Sequence, residues 1–242
     1  MKEITATVKA VELINQNVYQ ISLQANDLTF IAGQYLMVLL PTGEQVPYSI
    51  GSAPHELPDL ALYILVSDPE SLASKVVEHI KSNDSVIIKA PGGDCHLQNG
   101  VLDTHPEHIL LIAGGTGFAQ IKSLYSELVE QNFTGKVSFY WGLRTAEDVF
   151  AQNWLEEAHK YTPFTLDIIV NEESEQWHGR SGWLYEAVLE DHPDLSQSAV
   201  FISGSVGMVY GTLDQLELKG LNINRCFSDV FAYAPHPSKP VL

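Results

Sequence analysis

The hydrophobic period of this chain changes once, near His108, and that change constrains the fold more than any other feature. Before it, short apolar–polar alternations occupy Ile4–Ile14, Val18–Gln24, Gln34–Leu40, Val46–Ile50, Leu60–Val66 and Ser85–Ala90. Turn residues separate them, among them Asn26-Asp27, Ala32-Gly33, Pro41-Thr42-Gly43 and Pro54. Alternation with period two marks half-buried strands, and several at close spacing predict an antiparallel β-barrel or sandwich. One helix, Ser71–Ile80, interrupts them, with Leu72, Val76, Val77 and Ile80 on one face and Ser71 as N-cap. Beyond His108 buried-type strands alternate with helices. The strands are Ile109–Ala113, Lys136–Trp141, Thr165–Val170, Ala199–Ser203 and Asn224–Phe227, and the helices are Gly117–Gln131, Ala146–Lys160, Trp183–Glu190 and Val206–Leu218. That order predicts a parallel sheet covered on both faces. With the polar stretch Asn99–Pro106 as linker, a β-barrel domain spans residues 1–99 and an α/β domain spans 106–242.

Composition narrows the function. Thirty acidic residues against 13 Lys and Arg give a formal charge of −17, which excludes a protein held to nucleic acid by phosphate contacts. Apolar runs of a few residues are far short of the roughly 20 needed to span a bilayer, and Met1–Val8 alternates like a strand rather than a signal peptide. Two cysteines, Cys95 and Cys226, cannot form a disulfide framework or ligate an iron–sulfur cluster alone, so a cytoplasmic location is expected. No set of three or four metal ligands is evident. His105, His108 and the Cys95-His96 pair read as surface or turn positions, and no metal site is expected.

Three segments can carry chemistry. Ile109–Gly117 is an apolar strand entering a glycine-rich turn, Gly114-Gly115-Thr116-Gly117, ahead of a helix whose buried face is Phe118, Ile121, Leu124 and Leu128. Glycines let the backbone approach a pyrophosphate, and the free N–H groups of a helix start favour its charge. The full dinucleotide fingerprint is missing, because its third glycine falls at Gln120 and Gly142-Leu143-Arg144 stands where an acidic residue would end the next strand. Val46-Pro47-Tyr48-Ser49 offers a fixed backbone, an aromatic face and one hydroxyl, which suits a flat heterocycle. Phe201–Met208 repeats the strand, small-residue turn and helix order at the edge where open α/β sheets bind ligands. It also approximates a nucleophile elbow, with Ser205, Asp229 and His236 in hydrolase order, although Ser203 replaces the elbow's first glycine and no His-Gly-Gly-Gly loop exists.

Taken in order, Gly33-Gln34-Tyr35, Pro47-Tyr48-Ser49, Ala113–Phe118, Tyr140-Trp141-Gly142 and Phe227–Tyr233 resemble the ferredoxin–NADP reductase superfamily. Within it the match is to the bacterial NAD(P)H–flavin oxidoreductases, which include the flavin reductase of bacterial luminescence. The resemblance implies a flavin-binding barrel, a pyridine-nucleotide domain, and hydride transfer from nicotinamide C4 to flavin N5 between them. It implies that Pro47, Tyr48 and Ser49 form the flavin edge, with the Ser49 hydroxyl near N5 in a catalytic role. Tyr63, Ile64, Leu65 and Val66 would form the opposite wall, and Phe231 the C-terminal aromatic region. The family's flavin motif begins with arginine where this chain has Val46.

The expected activity is reduction of FMN, FAD or riboflavin by NADH or NADPH, with Gly114, Gly115, Thr116, Gly117 and Arg144 holding the nucleotide. The resemblance implies that the arginine of the family's flavin motif helps hold the flavin phosphate; losing that charge-assisted contact at position 46 would weaken phosphate-dependent binding by about tenfold to a hundredfold, so flavin is expected as a transient substrate. Reduced flavin would then leave for a monooxygenase, a luciferase or a ferric acceptor. Two other readings make different predictions: a flavin or nucleotide binding module without turnover, and a serine hydrolase using Ser205.

Overall fold

In the computed structural model, which describes residues 1–161, 164–172 and 174–236, the two periods become two sheets. The first contains β1 (Lys2–Leu13), β2 (Val18–Gln24), β3 (Tyr35–Leu39), β4 (Gln45–Ser49), β5 (Asp59–Leu65) and β6 (Ser85–Gly92). Its order is β4-β3-β6-β1-β2-β5, and its ladders are antiparallel. The two edges meet where the Gly51 N–H donates to the Ala61 carbonyl at 2.7 Å, which partly closes a barrel. Pro47, which cannot donate to a ladder, is tolerated because β4 is an edge strand. The helix α1 (Leu72–Lys81) buries Val76, Val77 and Ile80 in the barrel core, and the Ser71 hydroxyl accepts from the Ser74 N–H. Leu72, expected on the same face, is exposed, whereas Ala73 beside it packs against the barrel core.

The second sheet contains β7 (His108–Gly114), β8 (Lys136–Leu143), β9 (Phe164–Val170), β10 (Arg180–Ser181), β11 (Ser198–Ser203) and β12 (Cys226–Phe227). All its ladders are parallel in the order β10-β9-β8-β7-β11-β12. The direction of strand succession therefore reverses between β7 and β11, where a crevice opens at the carboxyl ends. The helices are α2 (Phe118–Glu130), α3 (Gln152–Ala158), α4 (Leu184–Asp191), α5 (Val206–Glu217) and α6 (Val230–Tyr233).

Two expectations need correction. The run Ala146–Lys160 is not one helix: a 3₁₀ turn at Ala146–Asp148, boxed by Thr145 and Asp148, is followed by Ala151 in left-handed conformation (φ 58°) and only then by α3. Phe150 explains the break, since it is drawn into an aromatic cluster against Trp141, Phe118 and Tyr63 at centroid distances of 4.8, 5.1 and 5.4 Å. The expected strand Asn224–Phe227 shrinks to two residues after a 3₁₀ turn at Ile223–Arg225.

The segment between the sheets is packed rather than loose: Leu97 and Val101 are buried in the same cluster as Ile109 and Leu124. His108 likewise is not a surface residue. Its half-buried ring lies edge-on to His192 at 4.4 Å, and its Nε2 is 3.0 Å from the Ser138 hydroxyl.

Candidate functional site at the junction of the two sheets

The glycine-rich turn takes its shape from two close constraints. Gly115 has φ +54°, a left-handed conformation that glycine adopts without strain, and its carbonyl accepts from the Trp141 indole N–H at 2.9 Å. Gly117 packs against the end of β11 so tightly that a Cβ there would lie 2.2 Å from the Ser203 carbonyl oxygen. The turn thus opens onto a cleft of about 850 Å³ lined by Gly114, Gly115 and Thr116 on one side and by Arg144, Asn171 and Trp183 on the other. Arg144 is mostly exposed, with its Nε 3.9 Å from an Asp148 carboxylate oxygen.

A second cleft, of about 1080 Å³, faces the barrel. Register decides who lines it: Ser49 pairs with Tyr35 and Pro47 with Met37, and all four side chains face the cleft. Tyr48 reaches it from the sheet edge, and Tyr63, Phe231 and Tyr233 add aromatic surface. Aromatic surface from Tyr35, Tyr48, Tyr63 and Phe231, with the Ser49 hydroxyl at the end of β4, fits a flavin ring, so the residues present match the group that the motifs imply. Of the wall Tyr63–Val66, only Tyr63 and Leu65 line the cleft; Ile64 is buried in the barrel core and Val66 packs against that core. Val46 also packs against the barrel core, in register with the fully buried Val38.

The two clefts share Leu65, Gly114, Thr116 and Ser205, so they meet at the junction of the sheets. Helix α2 braces that junction. Its Gln120 amide donates to the Gly33 carbonyl at 2.6 Å and to the Asp229 carboxylate at 2.7 Å, which is why a fingerprint glycine would be misplaced there. The ammonium of Lys122 donates to the Gly51 carbonyl at 2.9 Å, with the Glu56 carboxylate 3.7 Å away, and the Ser123 hydroxyl donates to the Ser52 carbonyl at 2.8 Å. Burial pulls the Lys122 pKa down, while Glu56 opposes that shift. One helix therefore carries the glycine-rich turn at its start and grips the chain two residues beyond Ser49.

The hydrolase reading fails on geometry. The Ser205 hydroxyl caps α5 by accepting from the Met208 N–H, Asp229 is held by Gln120, and His236 Nε2 lies 3.0 Å from Asp214. Each of the three is engaged with a different partner.

Comparison with known proteins agrees with this architecture. Residues 111–214 match the family model described as an oxidoreductase NAD-binding domain. Over 239 residues the chain is 33% identical to the NAD(P)H-flavin reductase of Vibrio harveyi, covering 95% of this chain and 99% of that one. The chain belongs to the NAD(P)H–flavin reductase family. The family member from Aliivibrio fischeri is 31% identical over 241 residues, covering 95% and 99% of the two chains. In fold, this reductase superposes on a cytochrome P450 reductase from Amycolatopsis with a TM-score of 0.85, at 24% identity, over 94% of this chain and 69% of that one.

Several residues at or near the two clefts carry little or no signal in the sequence. Gln120 is marked in the sequence only as the place of a missing fingerprint glycine, and Lys122 and Ser123 read as ordinary helical positions. Asp229 enters the sequence reading as a hydrolase partner and as one position of the Phe227–Tyr233 motif, neither of which signals its contact with Gln120. Trp183 and Tyr185, on the far side of the nucleotide cleft, carried no motif signal.

Proposed function

We propose that this protein oxidises NADH or NADPH and passes the hydride to FMN, FAD or riboflavin at the shared end of the two clefts. The observation that carries the reading is the meeting of a glycine-turn cleft with an aromatic cleft at Leu65, Gly114, Thr116 and Ser205. When bound, nicotinamide and flavin supply the hydride chemistry, and the chain has to hold them in contact and correctly turned. Pro47, Tyr48, Tyr63, Leu65 and Phe231 bind and orient the flat ring. The Ser49 hydroxyl donates towards the ring atom where charge develops, an electrostatic contribution rather than acid–base work. Gly114, Gly115, Thr116 and Gly117 offer backbone N–H groups to the nucleotide diphosphate, and Arg144 stands at the cleft's other side. With Arg144 already beside Asp148, NADH is the preferred donor and NADPH is tolerated.

The functional halves on this reading are residues 1–99 and 106–242. Reduced flavin leaves as a diffusible product in the cytoplasm, where a monooxygenase, a luciferase or a ferric complex consumes it. The test follows reduced-nicotinamide absorbance with and without each of the three flavins. Flavin-dependent oxidation is expected, and its absence with all three overturns the proposal. Ser49→Ala is expected to lower turnover by about tenfold, about 1.4 kcal/mol of barrier, and unchanged turnover would remove Ser49 from the mechanism.

A further inference from the structure

The turn between β1 and β2 belongs to the barrel, yet it supplies part of the nucleotide cleft: Asn15, Asn17 and Val18 line it beside Leu65. Register explains the placement, since Val18 pairs with Leu65 and the Asn17 carbonyl accepts from the Val66 N–H at 2.8 Å. Leu65 is one of the residues at which the two clefts meet. The turn therefore stands beside the end of the cleft where hydride is passed on.

Asn15 uses both ends of its side-chain amide. Its oxygen accepts from the Asn17 N–H at 3.0 Å and the Val18 N–H at 2.8 Å, which fixes the turn. Its nitrogen reaches out of the barrel and donates to the main-chain carbonyl of Asp148 at 3.2 Å, 133 residues along the chain. Asp148 lines the same cleft, with Arg144 and Phe150. Its carboxylate accepts from the Thr145 N–H at 3.0 Å and the Thr145 hydroxyl at 3.2 Å, and lies 3.9 Å from Arg144 Nε. One amide thus ties the barrel's share of the cleft lining to the share supplied by the α/β domain. None of Asn15, Asn17, Val18, Arg144, Asp148 and Phe150 lines the flavin cleft.

We propose that Asn15 is a positioning residue for the nucleotide: by clasping Asp148 it holds the barrel turn and the 145–150 segment at the spacing that NADH fits. Affinity for the nucleotide, and not for flavin, then depends on this contact between the domains. The inference rests on the reading of this cleft as the nucleotide site. Asn15→Ser keeps a hydroxyl oxygen for the turn but ends one bond short of Asp148. The lost hydrogen bond is expected to raise the KM for NADH about threefold to tenfold. The glycine-rich turn still carries the diphosphate, so kcat stays within about twofold and the KM for riboflavin is unaltered. General loosening of the fold would move both KM values together. Calorimetric titration of NADH into flavin-free protein supplies the equilibrium counterpart, with the same weakening expected. Asn15→Asp also loses the donor but adds a charge, so a KM rise confined to Asn15→Asp is repulsion of the nucleotide and overturns the clasp. Equal NADH constants in Asn15→Ser and the wild type, or a parallel rise for NADH and riboflavin, overturn it too. A wild type that binds NADH more tightly than Asn15→Ser yet oxidises none with any flavin sinks the reductase reading and keeps the clasp. Ordinary NADH oxidation that Asn15→Ser leaves untouched does the reverse.

Discussion

Asp229 shows how the site imposes on a single residue. Burial raises its carboxyl pKa from an ordinary value near 3.8 to about 6; the Gln120 amide and the Cys95 backbone N–H resist that shift, and the charge of Asp94 adds to it. A carboxyl whose folded pKa is raised destabilises the fold once it ionises. The penalty is absent below pH 4, grows between pH 4 and 6, and is complete above. At about 1.4 kcal/mol per pKa unit it amounts to roughly 2 to 3 kcal/mol. Asp229→Asn keeps an oxygen for the Gln120 amide, so it is expected to raise the melting temperature at pH 8 and to leave it nearly unchanged at pH 4. Melting curves at the two pH values check this, and destabilisation at pH 8 would mean that the ionised carboxylate is required. Little of this is written in the sequence, because desolvation depends on what the fold places around the residue. By contrast Pro47, Tyr48 and Ser49 were legible as a strand motif. The division of Tyr63–Val66 into cleft-facing Tyr63 and Leu65 and core-facing Ile64 and Val66 follows from the period of two, a signal that was present in the sequence.

Among elements, the lower edge of the parallel sheet carries a pH-dependent contact between β7, β8 and α4. His108 lies edge-on to His192, whose Nε2 is 2.9 Å from the Tyr140 hydroxyl, and that hydroxyl donates to Asp191, which is also paired with Arg180. Burial pulls the His108 pKa down to about 4, with further lowering from His192 and Lys136. Burial lowers His192 as well, while Asp191 opposes it. His108 is therefore neutral in the fold and protonated in the unfolded chain at mildly acid pH, and His192 is shifted in the same direction, so stability is lost as pH falls from about 6.5 towards 4. Discounted for solvent screening at a half-exposed ring, the His108 share is about 1 kcal/mol. His108→Phe retains the ring contact and leaves Ser138 an acceptor for the Thr165 hydroxyl, so it should flatten the acid limb of melting temperature against pH. An unaltered limb would remove His108 as its source. The long elements were legible from their periods. The two-residue β10 and four-residue α6 are too short to show one, and the break before α3 depends on where a single ring, Phe150, finds its partners.

For the whole molecule, the two halves act as one body because Tyr63 of the barrel stacks on Phe150 and meets Phe118 edge-on, while α2 donates across the junction to Gly33, Gly51 and Ser52. The charge of that body gives an expectation for which flavin it favours. The chain carries −17, the lining of the flavin cleft includes Asp94 and Asp229, and no Lys or Arg is among its described lining residues. Lys89, which pairs across the ladder with Met37, is the cation best placed to help, but its ammonium lies 3.4 Å from Glu3 and 3.5 Å from the Gln45 side-chain oxygen. Val46 offers only apolar contact. On the proposed flavin site a phosphate on the ribityl chain is expected to meet net negative surroundings with no Lys or Arg among the described lining residues, whereas neutral riboflavin keeps the same ring contacts. Val46 by itself makes weak flavin retention the expectation, and the charge of the cleft lining makes riboflavin the expected preference. Purified protein is expected to be colourless or weakly yellow, and the KM for riboflavin should fall a few-fold, roughly 0.5–1 kcal/mol, below that for FMN at low salt. Because the Debye length shrinks from about 30 Å at 0.01 M salt to about 10 Å at 0.1 M, added salt should narrow that gap. Steady-state kinetics with both flavins across that range measure it directly. Equal or inverted KM values at low salt would show that a cation, with Lys89 the first to replace by methionine, turns from Glu3 to the phosphate when FMN binds.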